Sequence, residues 1–480
     1  MFKRLLKDSL VYGVANAIQK LGPFIILPII VHYLGQNALK VYDVSFVYAY
    51  IFSRLVILGQ DAAASVLYFD TKKSSFNKSQ VTTYGFIVQL IGLLVFFCLV
   101  FPFSHLWSRF LFSKDAAIAE WCYRALYILP GSILLNYALN ILLWQNRKTA
   151  YAFLCFIQTI TSIAGVLVAV IFLRGGIAAL FYSLVGSTTI TGFIGLMMIK
   201  QMIFAPLLPL NKDLLRKLFL LGIPFALTTF FHQLLPAVDR LFLIAYNYGQ
   251  QLAPYVLAAK LGSLLNFGVS AFVLAFTPYS LAKLNEEDAE EELARLFRMV
   301  AAAGFLVVPF LLLFKDLLIH LFADASYAPA APLLPFFFFG WVFDLFSYFT
   351  TLGIYRSQKS LLWLILFIVG VVFTSAFNQL LIPYLGLHGA ALSFCLGKAI
   401  LFFISWLWLR KYFYLHIHLF EFWSSFVIAI VSSYLIFVLP LVMNIFILLF
   451  VFCVSAWYFK RKTGGFRKMA TAAFKFGNKI

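Results

Sequence analysis

The stretch LLWLILFIVGVVFTSAFNQLLIPY, residues 361–384, decides the fold class. It holds 24 consecutive residues without a charge. Wound as a helix at about 1.5 Å per residue it reaches about 36 Å, enough to cross a hydrocarbon core about 30 Å thick. A membrane β-strand would need only about ten residues of alternating polarity, which this run lacks. The rest of the chain repeats the theme. Of 480 residues, 63% are hydrophobic and 11% charged, against about 45–50% and about 25% in soluble domains. The fold class is therefore all-α, a polytopic helical membrane protein.

Apolar windows place fourteen spans, at 10–34, 41–67, 81–103, 118–143, 150–173, 177–203, 218–246, 252–282, 299–322, 331–355, 361–384, 387–409, 421–439 and 441–459. The last two, parted by a turn at Pro440, could instead form a hairpin. The opening MFKRLLKDSL is basic, but the apolar run after it is of full length without a small-residue cleavage site, so it reads as an uncleaved first span. Lys and Arg alternate sharply between the two sides. Segments on the side of the N-terminus hold 26, among them Lys72, Lys73, Lys78, Arg216, Lys217 and seven in the tail from Lys460 to Lys479. The other side holds four: Lys40, Arg109, Lys114 and Arg174. The positive-inside rule then puts both termini in the cytoplasm, and a bacterial inner membrane is the expected location.

Several function classes fall away. No segment between spans exceeds about 20 residues, which leaves no room for the soluble domain of a glycan polymerase or transferase. The sequence has no GxxxxGK[ST] motif, so no P-loop hydrolyses ATP. The net charge of +19 is spread over loops and tail, without a basic domain for nucleic acid. Cys98, Cys122, Cys155, Cys395 and Cys453 lie in apolar runs without close pairs or histidine partners, so neither disulfide nor metal site is indicated, and no cofactor. The acid-rich loop 284–298 reads as a short surface helix.

RGGIAAL at 174–180 opens the sixth span and LGLHGAAL at 385–392 the twelfth, about 212 residues later. The offset also lays the first span on the seventh and the second on the eighth. Two parallel six-span lobes follow, 1–210 and 211–411, with 412–480 holding spans 13 and 14 and a basic tail; such repeats keep a substrate site between them.

Ionisable residues within spans are costly and point to function. The first span carries Asn16, Gln19 and Lys20 on one face, and the second carries Tyr50, Arg54, Asp61 and Ser65 as one stripe. His232, Gln233, Asp239 and Arg240 lie in the seventh and Lys260 in the eighth. Arg124 sits in the outer part of the fourth, Asp344 is central in the tenth and Lys398 in the twelfth. Adjacent side chains point apart on a helix, so Asp239 is expected to find its partner on another span rather than on Arg240. Lys20, Arg54, Arg124, Arg240, Lys260 and Lys398 outnumber Asp61, Asp239 and Asp344 by three. A cationic cavity suits a polyanion, because Arg and Lys both steer phosphate and Arg grips it with two parallel bonds. The acids are candidates for ion coupling. Asn16, Gln19, Tyr50, His232 and Gln233 are candidate sugar contacts, and Asn136, Asn140, Gln145, Asn378 and Gln379 could join them.

The segment 7–35, KDSLVYGVANAIQKLGPFIILPIIVHYLG, resembles the first span of bacterial polysaccharide transporters of the O-antigen flippase type, within the multidrug/oligosaccharidyl-lipid/polysaccharide exporter superfamily. GQDAAASVLYFD at 59–70 also resembles that family, and AVDRLFLIAYNYGQQLAPYVLAAK at 237–260 resembles its DR-containing seventh span followed by its Tyr-containing eighth. The resemblance spans residues 1–411 through degenerate motifs. It implies a V-shaped cavity between the lobes. It also implies flipping, without covalent chemistry, of a polyprenyl-pyrophosphate-linked oligosaccharide from the cytoplasmic to the outer leaflet, in company with membrane lipids and other polysaccharide-assembly proteins. Fourteen spans resemble the lipid II flippases, where first- and second-span arginines line the cavity; here Lys20 and Arg54 stand in the comparable regions. The substrate stays open among O-antigen, capsule unit and lipid II. The alternatives are a cation-coupled multidrug exporter of the same fold, whose site should be acidic, and a membrane-embedded glycan polymerase or transferase.

Overall fold

The computed structural model describes residues 2–69, 76–203, 211–284, 286–357, 359, 361–440 and 443–444. Among them the regular structure is helical throughout, without a strand. In chain order the α-helices are α1 Phe2–Ile29, α2 Gly35–Val56, α3 Gln60–Phe69, α4 Lys78–Val95, α5 Phe101–Leu111, α6 Ala116–Ala125, α7 Leu129–Trp144, α8 Lys148–Val166, α9 Gly176–Ile203 and α10 Lys212–Leu234. They continue with α11 Val238–Ala245, α12 Leu252–Gly262, α13 Leu264–Lys283, α14 Ala289–Leu312, α15 Lys315–Phe322, α16 Leu334–Thr350, α17 Leu352–Ser357, α18 Leu361–Leu385, α19 Leu387–Leu409 and α20 Leu419–Val438.

Twelve helical segments of the described residues are long and apolar enough to cross a membrane. The first, Tyr12–Val56, runs 45 residues, about 67 Å of helix, twice the hydrocarbon thickness. Gly35, at φ +77°, breaks it in two. The expected spans up to 421–439 therefore all have a counterpart, while 441–459, apart from residues 443–444, and the basic tail lie outside the described residues, as do Lys72, Lys73 and Cys453.

Several expected spans are not single rods, among them the second, the seventh and the eighth. The second breaks at residues 57–59, where Leu58 and Gly59 take φ of 53° and 65°. A Cβ on Gly59 would stand 2.2 Å from the Gly222 carbonyl oxygen, so two glycines let the α2–α3 bend touch the backbone of α10. The seventh breaks before α11, at Pro236, which has no N–H to continue the ladder. The eighth parts at Ser263 into α12 and α13. The loop 284–298 is not a separate surface helix either. Its acids Glu290, Glu291 and Glu292 form the first turn of α14, where the helix dipole favours anions.

The repeat is visible in the helix starts. α1 and α10 begin 210 residues apart, α4 and α14 211, α8 and α18 213, and α9 and α19 211. Gly176 and Gly386, also 210 apart, both hold positive φ at the turn into the last helix of each repeat.

Contacts gather the chain into two compact units. One comprises Val14–Val256 with Leu361–Ala390. Its α7 and α9 are joined by small residues: a Cβ on Gly192 would meet the Gly131 carbonyl at 2.7 Å and one on Gly195 the Ala138 Cβ at 2.6 Å. Close backbone approach of this kind is how helices gain packing in lipid. The other unit comprises Met1–Gly13, Leu257–Ser360 and Ala391–Ile480. Its centre is aromatic: Phe305 rings lie 5.2 Å from both Phe346 and Phe422, and Phe346 lies 5.7 Å from Phe402. Many of the chain's phenylalanines are thus core rather than lipid-facing bulk.

Candidate functional site

The bend between α2 and α3 builds a polar cluster. On an unbroken helix Arg54 and Asp61 would be about 10 Å apart along the axis. The bend turns α3 back, and Arg54 Nη1 stands 3.6 Å from Asp61 Oδ2. Asp61 is held more firmly by α7. Asn136 Nδ2 donates to both carboxylate oxygens at 3.1 and 2.9 Å, and Asn140 Nδ2, one turn on, donates to Oδ1 at 2.9 Å. Arg54 lies over the Tyr50 ring at 4.5 Å and donates from Nη2 to the Tyr50 hydroxyl. Its Nε–H is buried without a hydrogen-bond partner among the described residues. The side chains of Arg54 and Asp61 are 18% and 29% exposed, so the pair is reachable.

Arg240 is held differently. Its Nε donates to Asp43 Oδ2 on α2 at 3.1 Å, and its Nη1 donates to the Pro236 carbonyl at 2.7 Å and to Asp239 Oδ1 at 3.0 Å. Tyr255, on α12, donates its hydroxyl to Asp239. The expectation that neighbours cannot pair is corrected here. Asp239 and Arg240 open the first turn of a short helix, and the long guanidinium folds back over the carboxylate while Tyr255 binds from another element. Asp43 was not among the candidate residues. Its place in an apolar run marks it, but nothing local names Arg240, 197 positions away, as its partner.

In the other unit Lys398 Nζ of α19 donates to Asp344 Oδ1 of α16 at 2.6 Å and lies 5.3 Å from the Trp341 ring. The lysine side chain is 5% exposed. Arg124 pairs one turn back with Glu120 at 2.9 Å and lies over Trp121, half-exposed. Asp43 and Glu120 thus join the acids, and the three-charge excess within spans falls to one. Lys20 and Gln19 are half-buried on α1, Asn16 is exposed there, and Lys260 is half-buried on α12. His232 is exposed on α10 with its ring 4.8 Å from Phe367, and Gln233 is half-buried beside it. Among the described residues no group of three His, Cys, Asp or Glu side chains could hold a metal.

The family profile described as polysaccharide biosynthesis protein matches residues 5–282. The chain belongs to the polysaccharide biosynthesis protein family. No curated protein matches it. Solved structures similar to this family member share its fold. The lipid II flippase MurJ in an inward closed conformation superposes at a TM-score of 0.73, with 15% identity over 95% of this chain and 100% of that one. An inward-facing multidrug resistance MATE family transporter of the MOP superfamily gives 0.69, with 16% identity over 84% and 97%. A MOP superfamily transporter from Pyrococcus furiosus, described by the reverse polarity of its binding pocket, gives 0.58, with 15% identity over 85% and 94%. This member of the polysaccharide biosynthesis family is therefore a multi-pass membrane protein with the fold of the MOP transporters.

Proposed function

We propose that the chain is a flippase in a bacterial inner membrane. It carries a polyprenyl-pyrophosphate-linked oligosaccharide, an O-antigen, capsule or related unit, from the cytoplasmic to the outer leaflet by alternating access, without covalent chemistry. The lobes 1–210 and 211–411 would rock about the head group. One observation carries the reading: Arg54 is a reachable cation whose carboxylate partner stands at 3.6 Å while two asparagines hold that carboxylate. Among the described residues its Nη1 makes only the 3.6 Å ion pair with Asp61, which leaves an N–H donor of the kind a pyrophosphate takes. Lys20, half-buried on α1, would add charge. Arg240 and Lys398, themselves buried and bonded at 3.1 Å or less to acids, serve better as structure than as ligands. Of the acids proposed for ion coupling, Asp61 is the most reachable. A head group with two negative charges leaving an inside-negative cell gains about 2.3 kcal/mol per charge per 100 mV.

The test is translocation of a fluorescent undecaprenyl-pyrophosphate oligosaccharide in proteoliposomes, read with an impermeant quencher. Wild type should move the label, and Arg54→Ala and Lys20→Ala should abolish movement while still folding. Expulsion of cationic dyes with no movement of the lipid would favour the multidrug exporter.

A further inference from the structure

We infer that a charge-balanced network around Arg240 is the outer lock of the transport cycle, closed in this conformation and broken when the site opens outward. The inference rests on the alternating-access reading above. By the positive-inside bias the turn at Gly35, the loop before α6 and the end of α11 face outward. Three cations and three acids meet there. Arg240 binds Asp43 and Asp239, Lys40 Nζ binds Asp115 Oδ2 at 2.9 Å, and Lys114 Nζ caps α11 by donating to the Ala245 carbonyl at 2.5 Å. Asp43 and Lys40 are one turn apart on α2, and both are buried, as are Asp239 and Arg240.

The network balances its own charges, so no anionic ligand is needed to explain Arg240. It joins segments from before residue 210, α2 and the start of α6, to α11, which comes after it; all lie within the compact unit Val14–Val256 here, and in the alternating-access reading these are the segments that part on the outer side. Ion pairs suit a seal that opens. Apolar surface exposed by opening would gain nothing from water, whereas ions released into water regain the hydration that burial took from them, which offsets the lost attraction.

In a cysteine-free background, the thiol of Leu243→Cys, at a fully buried position of α11, is labelled from outside with an impermeant maleimide. Adding Asp43→Asn or Arg240→Gln should raise labelling several-fold, and the charge swap Asp43→Arg with Arg240→Asp should return it towards the starting level. Separately, Asp43→Cys with Arg240→Cys, joined by a short bifunctional thiosulfonate, should stop movement of the fluorescent lipid until reduced. The same link at Gln158→Cys with Thr191→Cys, which touch each other, lie before residue 210 and stand outside the network, should leave movement intact. Unchanged labelling in the folded neutral variants, or undiminished movement in the linked Asp43–Arg240 pair, would make the network a permanent joint. Raised labelling in a protein whose wild type moves no lipid would keep the lock and remove the flippase.

Discussion

Arg54 stands 3.6 Å from Asp61, beyond hydrogen-bond reach, although the two carry opposite charges seven residues apart. The gap is maintained by α7, whose Asn136 and Asn140 saturate the carboxylate with three amide bonds of 2.9–3.1 Å. Arg54 is left to the Tyr50 ring and hydroxyl.

Removing the amides should therefore weaken binding of the pyrophosphate without removing a group proposed to hold it. In Asn136→Leu with Asn140→Leu, Asp61 is free to close on Arg54 and compete with pyrophosphate. The affinity for a fluorescent polyprenyl-pyrophosphate, measured by titration in detergent, should fall about tenfold, equivalent to about 1.4 kcal/mol. An unchanged affinity would show that Asp61 does not govern Arg54.

Lys398, buried, and Asp344, half-buried, form a pair in which each depends on the other. Asp344→Ala strands an ammonium among aromatic residues and should cost about 3–5 kcal/mol, while Lys398→Met with Asp344→Leu should be close to neutral. Thermal unfolding in detergent reads both. A double variant as unstable as the single one would mean that the pair holds the helices by more than charge.

Gly59 and Gly35 both adopt positive φ but differ in surroundings. A Cβ on Gly59 meets the Gly222 carbonyl at 2.2 Å, whereas nothing lies within 4 Å of one on Gly35. Gly59→Ala should lose about 1–3 kcal/mol from forced overpacking beyond the about 1–2 kcal/mol that left-handed backbone costs any side chain. Gly35→Ala should show the backbone cost alone. Equal melting temperatures for the two variants would contradict the close approach of the α2–α3 bend to α10.

At the C-terminal end of α13, burial disfavours the charge on Lys283, but hydrogen bonds to Glu292 and Glu286 outweigh it and raise its pKa above the ordinary lysine value. A group with a raised folded-state pKa adds stability that is complete below its unfolded value and fades as pH climbs through the folded one. The contribution should thus be constant through neutral pH and decline only in the alkaline range. Glu292→Gln should lower the melting temperature at neutral pH and flatten that alkaline decline. A decline of the same steepness in the variant would assign it to other groups.

The sequence by itself determined that this chain is a helical membrane protein, roughly where it crosses and that it repeats after about 212 residues. These are properties of short windows, because a backbone in lipid must satisfy its hydrogen bonds within one segment. The breaks at 57–59 and Pro236 were only partly legible. Proline announces one, but the other needs Gly222 across the helix contact, 163 positions from Gly59. What only the tertiary structure decided is which intramembrane charges are engaged. Asp61 meets Asn136 75 residues away, Lys398 meets Asp344 54 away, and Arg240 meets Asp43 197 away. Pairing energies depend on distances of a few ångströms between helices that local periodicity cannot align, so residues alike in the sequence part into a tight structural arginine, Arg240, and a loosely held one, Arg54.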